Sequence, residues 1–388
     1  MSRKIVMTDA VLLDPEAAEP LRGSLLIDVP TGRIQGRLGS DQAGPEDAAR
    51  VSLGGRAVAP GFLDLHYHGE LVLARGAAIH DALVRTAASF LRHGTTGFLA
   101  TSVAWSPARM DEFLTQCASW THEALSSTLL GVHLEGPWIS GAAAGAQPRG
   151  EIRPFDAERD IPLLDREGLA LVTLAPECAG APELVRALEA RGLVAAMGHT
   201  RADDAQIDAC LGLGMTHATH LFNAMSGTRH RDPGVAARAL ADDQLTCDLI
   251  CDGVHVHPHL VKLAARAKGE KLALITDRVL SSTAGDTGFG SGALRDDGRA
   301  LWLQDGTLAG SSLSLDRALA SFRDFTACSD LAAIRAATLV PARVLGIERE
   351  RGTLRPGARA DFAVLRAGTL DVVETWIGGR PVSAEAIE

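Results

Sequence analysis

Two histidines stand two residues apart in Gly61-Phe62-Leu63-Asp64-Leu65-His66-Tyr67-His68-Gly69, at the end of an apolar run. On a strand, residues i and i+2 leave the same face, so His66 and His68 aim both imidazoles to one side. Further candidate ligands end or follow other apolar runs: Glu135 closes Gly131-Val132-His133-Leu134-Glu135, His199 follows Gly198, and His220 ends Met215-Thr216-His217-Ala218-Thr219-His220. Imidazoles and carboxylates together suit a borderline divalent ion, zinc first, with iron, manganese or cobalt as alternatives. Glu135, His199 and His220 make a three-ligand set that leaves a position open for water, and His66 with His68 can hold a second ion, bridged by Glu135 or a water. Asp277, ending Leu274-Ile275-Thr276-Asp277, adds a carboxylate that can accept a proton from metal-activated water and later give it to a leaving group.

These residues need a scaffold that brings distant strand ends together. Short apolar runs at residues 61–66, 96–101, 129–135, 170–175, 193–198, 215–220, 247–251 and 272–276 read as strands, and 79–92, 109–125, 182–191, 203–212 and 258–267 between them read as helices. The alternation predicts an α/β fold, a (β/α)8 TIM-type barrel, with the candidate ligands at the C-terminal strand ends where such barrels keep their active sites. An open doubly wound sheet is the rival architecture. Residues 1–58 and 346–388 alternate β-type runs with Gly, Pro and Asp, predicting one small β-sandwich domain built from both termini, with 59–345 as the barrel.

Composition limits the function classes. The chain of 388 residues is 46% hydrophobic, with no apolar run near the roughly 18 residues of a membrane span. A net charge of −10 without a basic cluster argues against nucleic-acid or membrane partners. Six cysteines without paired CxxC spacing read as reduced thiols, and with no charged-then-apolar leader the expected compartment is the cytoplasm. Two further residues suggest substrate contacts. His255, in Cys251-Asp252-Gly253-Val254-His255-Val256-His257, follows the seventh strand directly, and Arg231 carries a guanidinium that can fork onto a phosphate.

In order along the chain, Gly61 to Gly69, His133-Leu134-Glu135-Gly136-Pro137, Gly198-His199-Thr200, Thr219-His220-Leu221-Phe222-Asn223-Ala224-Met225, Asp252 to His257, Thr276-Asp277 and Gly306-Thr307-Leu308-Ala309-Gly310-Ser311-Ser312 resemble the marks of the N-acetylglucosamine-6-phosphate deacetylases of the amidohydrolase superfamily. The C-terminal Gly352-Thr353-Leu354 and Ala360-Asp361 are similar to amidohydrolases in general. The resemblance implies hydrolysis of the N-acetyl group of a hexosamine 6-phosphate, with Glu135, His199 and His220 as metal ligands and Asp277 as the catalytic aspartate. It also implies that Asn223, Ala224 and Arg231 contact the phosphate side, that His255 contacts sugar or acetyl, and that Leu308, Ala309 and Gly310 line the sugar. Because the family is often dimeric, it further implies a homodimer.

Departures from the pattern bear on substrate choice. Where the family carries Lys-Gly-Ala-His, this chain has Ala143-Ala144-Gly145-Ala146-Gln147, so Ala146 and Gln147 stand at substrate-contact positions with only a neutral donor. Arg278 follows the aspartate, then Val279-Leu280-Ser281-Ser282 before Ala284-Gly285, and the expectation is that Arg278 restores charge near a phosphate or narrows the pocket. Two rivals are set against this reading. Cyclic-amide amidohydrolases bridge two metals with a carboxylated lysine, whereas the lysines here, Lys4, Lys262, Lys268 and Lys271, lie far from the third and fourth strands. A non-catalytic scaffold would be expected to lose ligands or the aspartate that this chain retains.

Overall fold

A parallel strand covered on both faces has no polar side to show, and all eight residues of Phe62–Gly69 and all seven of Thr95–Thr101 are buried. The computed structural model describes residues 3–123, 125–280 and 294–382; Ser281, Ser282, Ala284 and Gly285 therefore lie outside the described residues. The site-bearing strands are β1 (Phe62–Gly69), β2 (Thr95–Thr101), β3 (Leu129–Glu135), β4 (Leu169–Leu174), β5 (Val194–Met197), β6 (Met215–Ala218), β7 (Thr246–Ile250) and β8 (Leu272–Ile275). They neighbour one another in sequence order, with parallel ladders from β2 through β8.

The chain of β8 continues past Asp277 into Arg278–Val279, which pairs in parallel with β1 at Tyr67 and Gly69. Its first half thus bonds β7 and its continuation bonds β1, returning the ladder to its first strand. The result is a curled, TIM-like sheet, extended beyond Arg278–Val279 by Leu308–Ser311, Ala300–Trp302 and Arg295–Asp296. Helices begin where the side chains can cap them. Asp203 and Gln206 form a reciprocal capping box before Asp204–Leu211, and Ser106 caps Pro107–Ser119 with proline in the first turn.

Two compact units divide the chain, residues 1–64, 87–97 and 314–388 forming one and residues 65–86 and 98–313 the other. The first holds an eight-stranded sheet drawn from both ends, in which Lys4–Leu12 pairs with Leu21–Asp28, Ala49–Ser52 and Ala57–Pro60, and Phe362–Leu365 pairs with Ala57–Pro60. Met7, Leu25, Ile27, Val58 and Phe362 are buried in its core, where Phe362 and Trp376 stack at 5.3 Å. The second unit contains every chemistry-bearing side chain discussed below. Among the described residues, no helix is long and apolar enough to cross a membrane.

Candidate metal centre

Strand parity and strand ends converge on one cluster. His66 and His68 leave β1 on the same side and place their Nε2 atoms 3.1 Å apart. Glu135, at the end of β3, puts Oε1 3.1 Å from His199 Nε2 and 2.9 Å from His220 Nε2, while its Oε2 is 3.3 Å from His68 Nε2. His199 and His220 are themselves 3.1 Å apart through Nε2. Asp277 Oδ1 lies 3.3 Å from His68 Nε2 and 3.5 Å from His66 Nε2. Two overlapping ligand groups result, His66, His68 and Glu135 on one side and Glu135, His199 and His220 on the other.

The backbone is strained where these side chains attach. His199, His220, Phe222, Ala224 and Asp277 all have left-handed backbones, with φ between 33° and 79°, a conformation that side chains resist and that functional sites retain when their surroundings enforce it. For His220 the enforcing group is Asp248 on β7. Its Oδ1 accepts the His220 backbone N–H while its Oδ2 bonds His217 Nε2 at 3.0 Å. Asp248 had no signal in the sequence, because its partners come from a neighbouring strand.

The donor chemistry fits a divalent ion. His199 Nδ1 lies 2.9 Å from Ala143 O and His68 Nδ1 lies 3.2 Å from Thr101 O. A carbonyl only accepts, so in both rings Nδ1 carries the proton and, in the neutral ring, Nε2 turns a lone pair inward. Facing these lone pairs are carboxylate oxygens, which also only accept. Acceptors packed against acceptors call for a cation between them, and spacings of 2.9–3.5 Å match the tetrahedron edge of about 3.3 Å implied by bonds of about 2.0 Å.

Protons compete for the same place. Burial alone would lower His68, but its bonds to Asp277 and Glu135 push its pKa up to about 10, and in the same way Glu135 outweighs burial to push His220 up to about 9. Burial would raise Glu135, yet the surrounding histidines hold it well below the usual carboxylate range. His133 behaves oppositely: burial, then the charge of His66, keep it neutral, with Nε2 2.7 Å from Thr173 Oγ1. The metal-free protein is therefore expected to carry protons on His68 and His220 at pH 7 and to release them when zinc binds. Titration calorimetry in buffers of different ionisation enthalpy reads this directly; affinity should rise with pH until the two histidines lose their protons near pH 9–10.

A cavity of about 240 Å³ opens over this cluster. His68, Glu135, His199, His220 and Asp277 line it, whereas His66 lies beneath, fully buried. Of the residues expected at the substrate, Ala146, Gln147, Asn223, Ala224 and His255 line it, as do Leu308, Ala309 and Gly310. His255 Nδ1 is 2.6 Å from Asp252 Oδ2, which leaves Nε2 for a bound molecule. Gly145 and Thr307 also line the cavity and were missed in the sequence, although both sit inside segments it singled out.

Three expectations change. Gln147 turns its amide toward a candidate ligand, its Oε1 accepting Ala104 N–H at 2.7 Å and its Nε2 donating one N–H to Glu135 Oε2. Arg278 is in register with Tyr67, the residue of opposite parity to His66 and His68, and does not line the cavity. Arg231 is exposed on the Arg229 to Asp232 turn and is likewise absent from the lining.

Close packing under Asp277 gives a further test. Gly310 has φ +153°, and a Cβ there would sit 2.4 Å from Val279 Cγ2 and 3.0 Å from Asp277 O. Gly310→Ala is expected to displace Asp277 and lower kcat by up to about 10²-fold; steady-state kinetics on protein of measured metal content checks it.

Comparison with known proteins places this geometry in context. A model of the amidohydrolase family matches residues 57–382. N-acetylglucosamine-6-phosphate deacetylase of Bacillus subtilis is 40% identical over 321 residues, covering 79% of this chain and 80% of the relative. The Homo sapiens protein of that name is 36% identical over 349 residues, covering 86% and 85%. The crystal structure of N-acetylglucosamine-6-phosphate deacetylase from Thermotoga maritima aligns at a TM-score of 0.85 and 30% identity, covering 97% of this chain and 99% of that one. A mutant of the Mycobacterium smegmatis enzyme in complex with N-acetyl-D-glucosamine-6-phosphate aligns with the same score, identity and coverage.

Proposed function

The chain belongs to the amidohydrolase family, and on that premise we propose that it hydrolyses the N-acetyl group of an N-acetylhexosamine 6-phosphate, foremost N-acetylglucosamine 6-phosphate, to acetate and the amino sugar phosphate. The observation that carries this reading is Asp277 beside His66 and His68 in one cluster with Glu135, His199 and His220, a proton carrier next to a donor set for a divalent ion. Such an ion, zinc in this reading, supplies Lewis acidity that lowers the pKa of water from about 15.7 to about 7 and polarises a carbonyl. Glu135, His199 and His220 would hold one ion and His66 with His68 a second, in a closed (β/α)8 barrel accompanied by a small terminal β sandwich.

Asp277 is the base and then the acid. Burial would raise its carboxyl, but the charges of His66 and His68 hold it below the usual range, so it enters ionised and ready to accept a proton from the attacking water. It returns that proton to the amide nitrogen as the C–N bond breaks. His255, held by Asp252, donates toward the acyl or sugar oxygen. Asn223 and Ala224 serve the phosphate side and Leu308, Ala309 and Gly310 line the sugar, all of them at the cavity. Among the described residues lining the cavity none is a lysine that could bridge two ions, which disfavours the cyclic-amide alternative. Six cysteines without paired CxxC spacing support a reducing compartment, the cytoplasm.

Acetate release from N-acetylglucosamine with and without its 6-phosphate, by chelated and zinc-reconstituted protein, tests the proposal. Faster turnover of the phosphorylated sugar, dependent on metal, is the expected result. Equal rates on the two sugars would remove the phosphate anchor, and no acetate from either would remove the activity.

A further inference from the structure

Gln147 lies twelve residues beyond Glu135 in sequence and is 5% exposed. Its amide can be oriented only one way. Ala104 N–H can only donate, so the end of the side chain 2.7 Å from it must be the carbonyl oxygen, and the NH2 end therefore faces Glu135 Oε2 and donates to it. The same loop reaches a second ligand from outside. Ser140 N–H donates to His199 O, and Ala143 O accepts from His199 Nδ1, each at 2.9 Å.

The consequence falls on the carboxylate of Glu135. Its Oε1 faces His199 and His220 and lies 3.5 Å from His66 Nε2, while its Oε2, the oxygen bonded by Gln147, faces His68 at 3.3 Å. The last torsion of a glutamate is broad and has no strong intrinsic preference, so this division needs an external restraint. Among the hydrogen bonds to Glu135 side-chain oxygens, the one from Gln147 comes from a neutral amide anchored at its other end to the main chain.

We propose that Gln147 is a positioning residue, a strut between the Ala104 main chain and Glu135 that holds Oε2 toward His68 and Oε1 toward His199 and His220 and thereby sets the affinity of the centre for divalent ions. The inference rests on the metal-centre reading above. It assigns Gln147 to the metal and not to the substrate phosphate.

The test uses the full-length protein, stripped with a chelator and titrated with zinc and with cobalt against a chromophoric competitor. Gln147→Met keeps the length of the side chain without its donor, and Gln147→Ala removes it altogether; melting of the metal-free proteins reports folding separately. The expected result is a 10–100-fold weaker affinity in both variants, the usual cost of losing an outer partner of a ligand, with an altered visible spectrum of the cobalt form. A lower melting temperature with unchanged ion affinity would reduce Gln147 to packing and overturn the proposal. So would unchanged affinity in both folded variants. Should the unaltered protein bind neither ion, the metal-centre reading itself fails and takes this inference with it, an outcome distinct from the other two.

Discussion

Asp277→Asn is expected to lower kcat by about 10²–10⁴-fold, the usual contribution of a positioned acid–base group, while KM and bound metal change little. Asparagine keeps the shape of the side chain but has no anionic oxygen to receive a proton. Glu135, His199 and His220 form a complete ligand group without Asp277, so the ion should remain. The position makes the effect specific. Asp277 is 14% exposed, open to the cavity on one side and within 3.5 Å of both β1 histidines on the other. Burst analysis of acetate release separates the alternatives, because a variant that binds substrate and metal normally but turns over within tenfold of the unaltered protein would show that the proton travels by another route.

The order and placement of the eight strands were legible in the sequence, since each begins within one residue of its expected start. A strand covered on both faces reads as an apolar run, and a ligand placed at its end interrupts that run visibly; Glu135 after Val132-His133-Leu134 and Asp277 after Leu274-Ile275-Thr276 are cases. Less visible were residues whose meaning depends on a partner elsewhere in the chain. Gln147 looked like a neutral replacement facing substrate, but it bonds Ala104, 43 residues earlier, and Glu135. Arg278 followed the aspartate in sequence, yet strand parity sends it with Tyr67. The left-handed backbones of His199, His220 and Asp277 were equally hidden, because none of these residues advertises that conformation as glycine does.

The larger loss is expected for Glu135→Ala. Glu135 is the one residue common to both ligand groups, so its removal takes an oxygen from each histidine pair at once. Acetate release should fall by at least about 10³-fold, because water with a pKa near 15.7 is scarcely available as a nucleophile at neutral pH. A second consequence separates loss of the ligand from general damage. In the unaltered metal-free protein His68 and His220 stay protonated to about pH 10 and 9, and the Glu135 carboxylate supports both. Without it, burial pulls the imidazoles toward neutrality, and the proton release that accompanies zinc binding at pH 7 should shrink. The sign follows from the raised values: stabilisation by these two histidines is full below their unfolded pKa of about 6.5 and disappears as pH rises through about 9–10, so Glu135→Ala should flatten the melting profile of the metal-free protein over that interval. Combining Glu135→Ala with Asp277→Asn should cost no more than Glu135→Ala alone, since a proton carrier has nothing to serve once the water is no longer activated. Losses that multiply in the double variant would mean that the two carboxylates act independently.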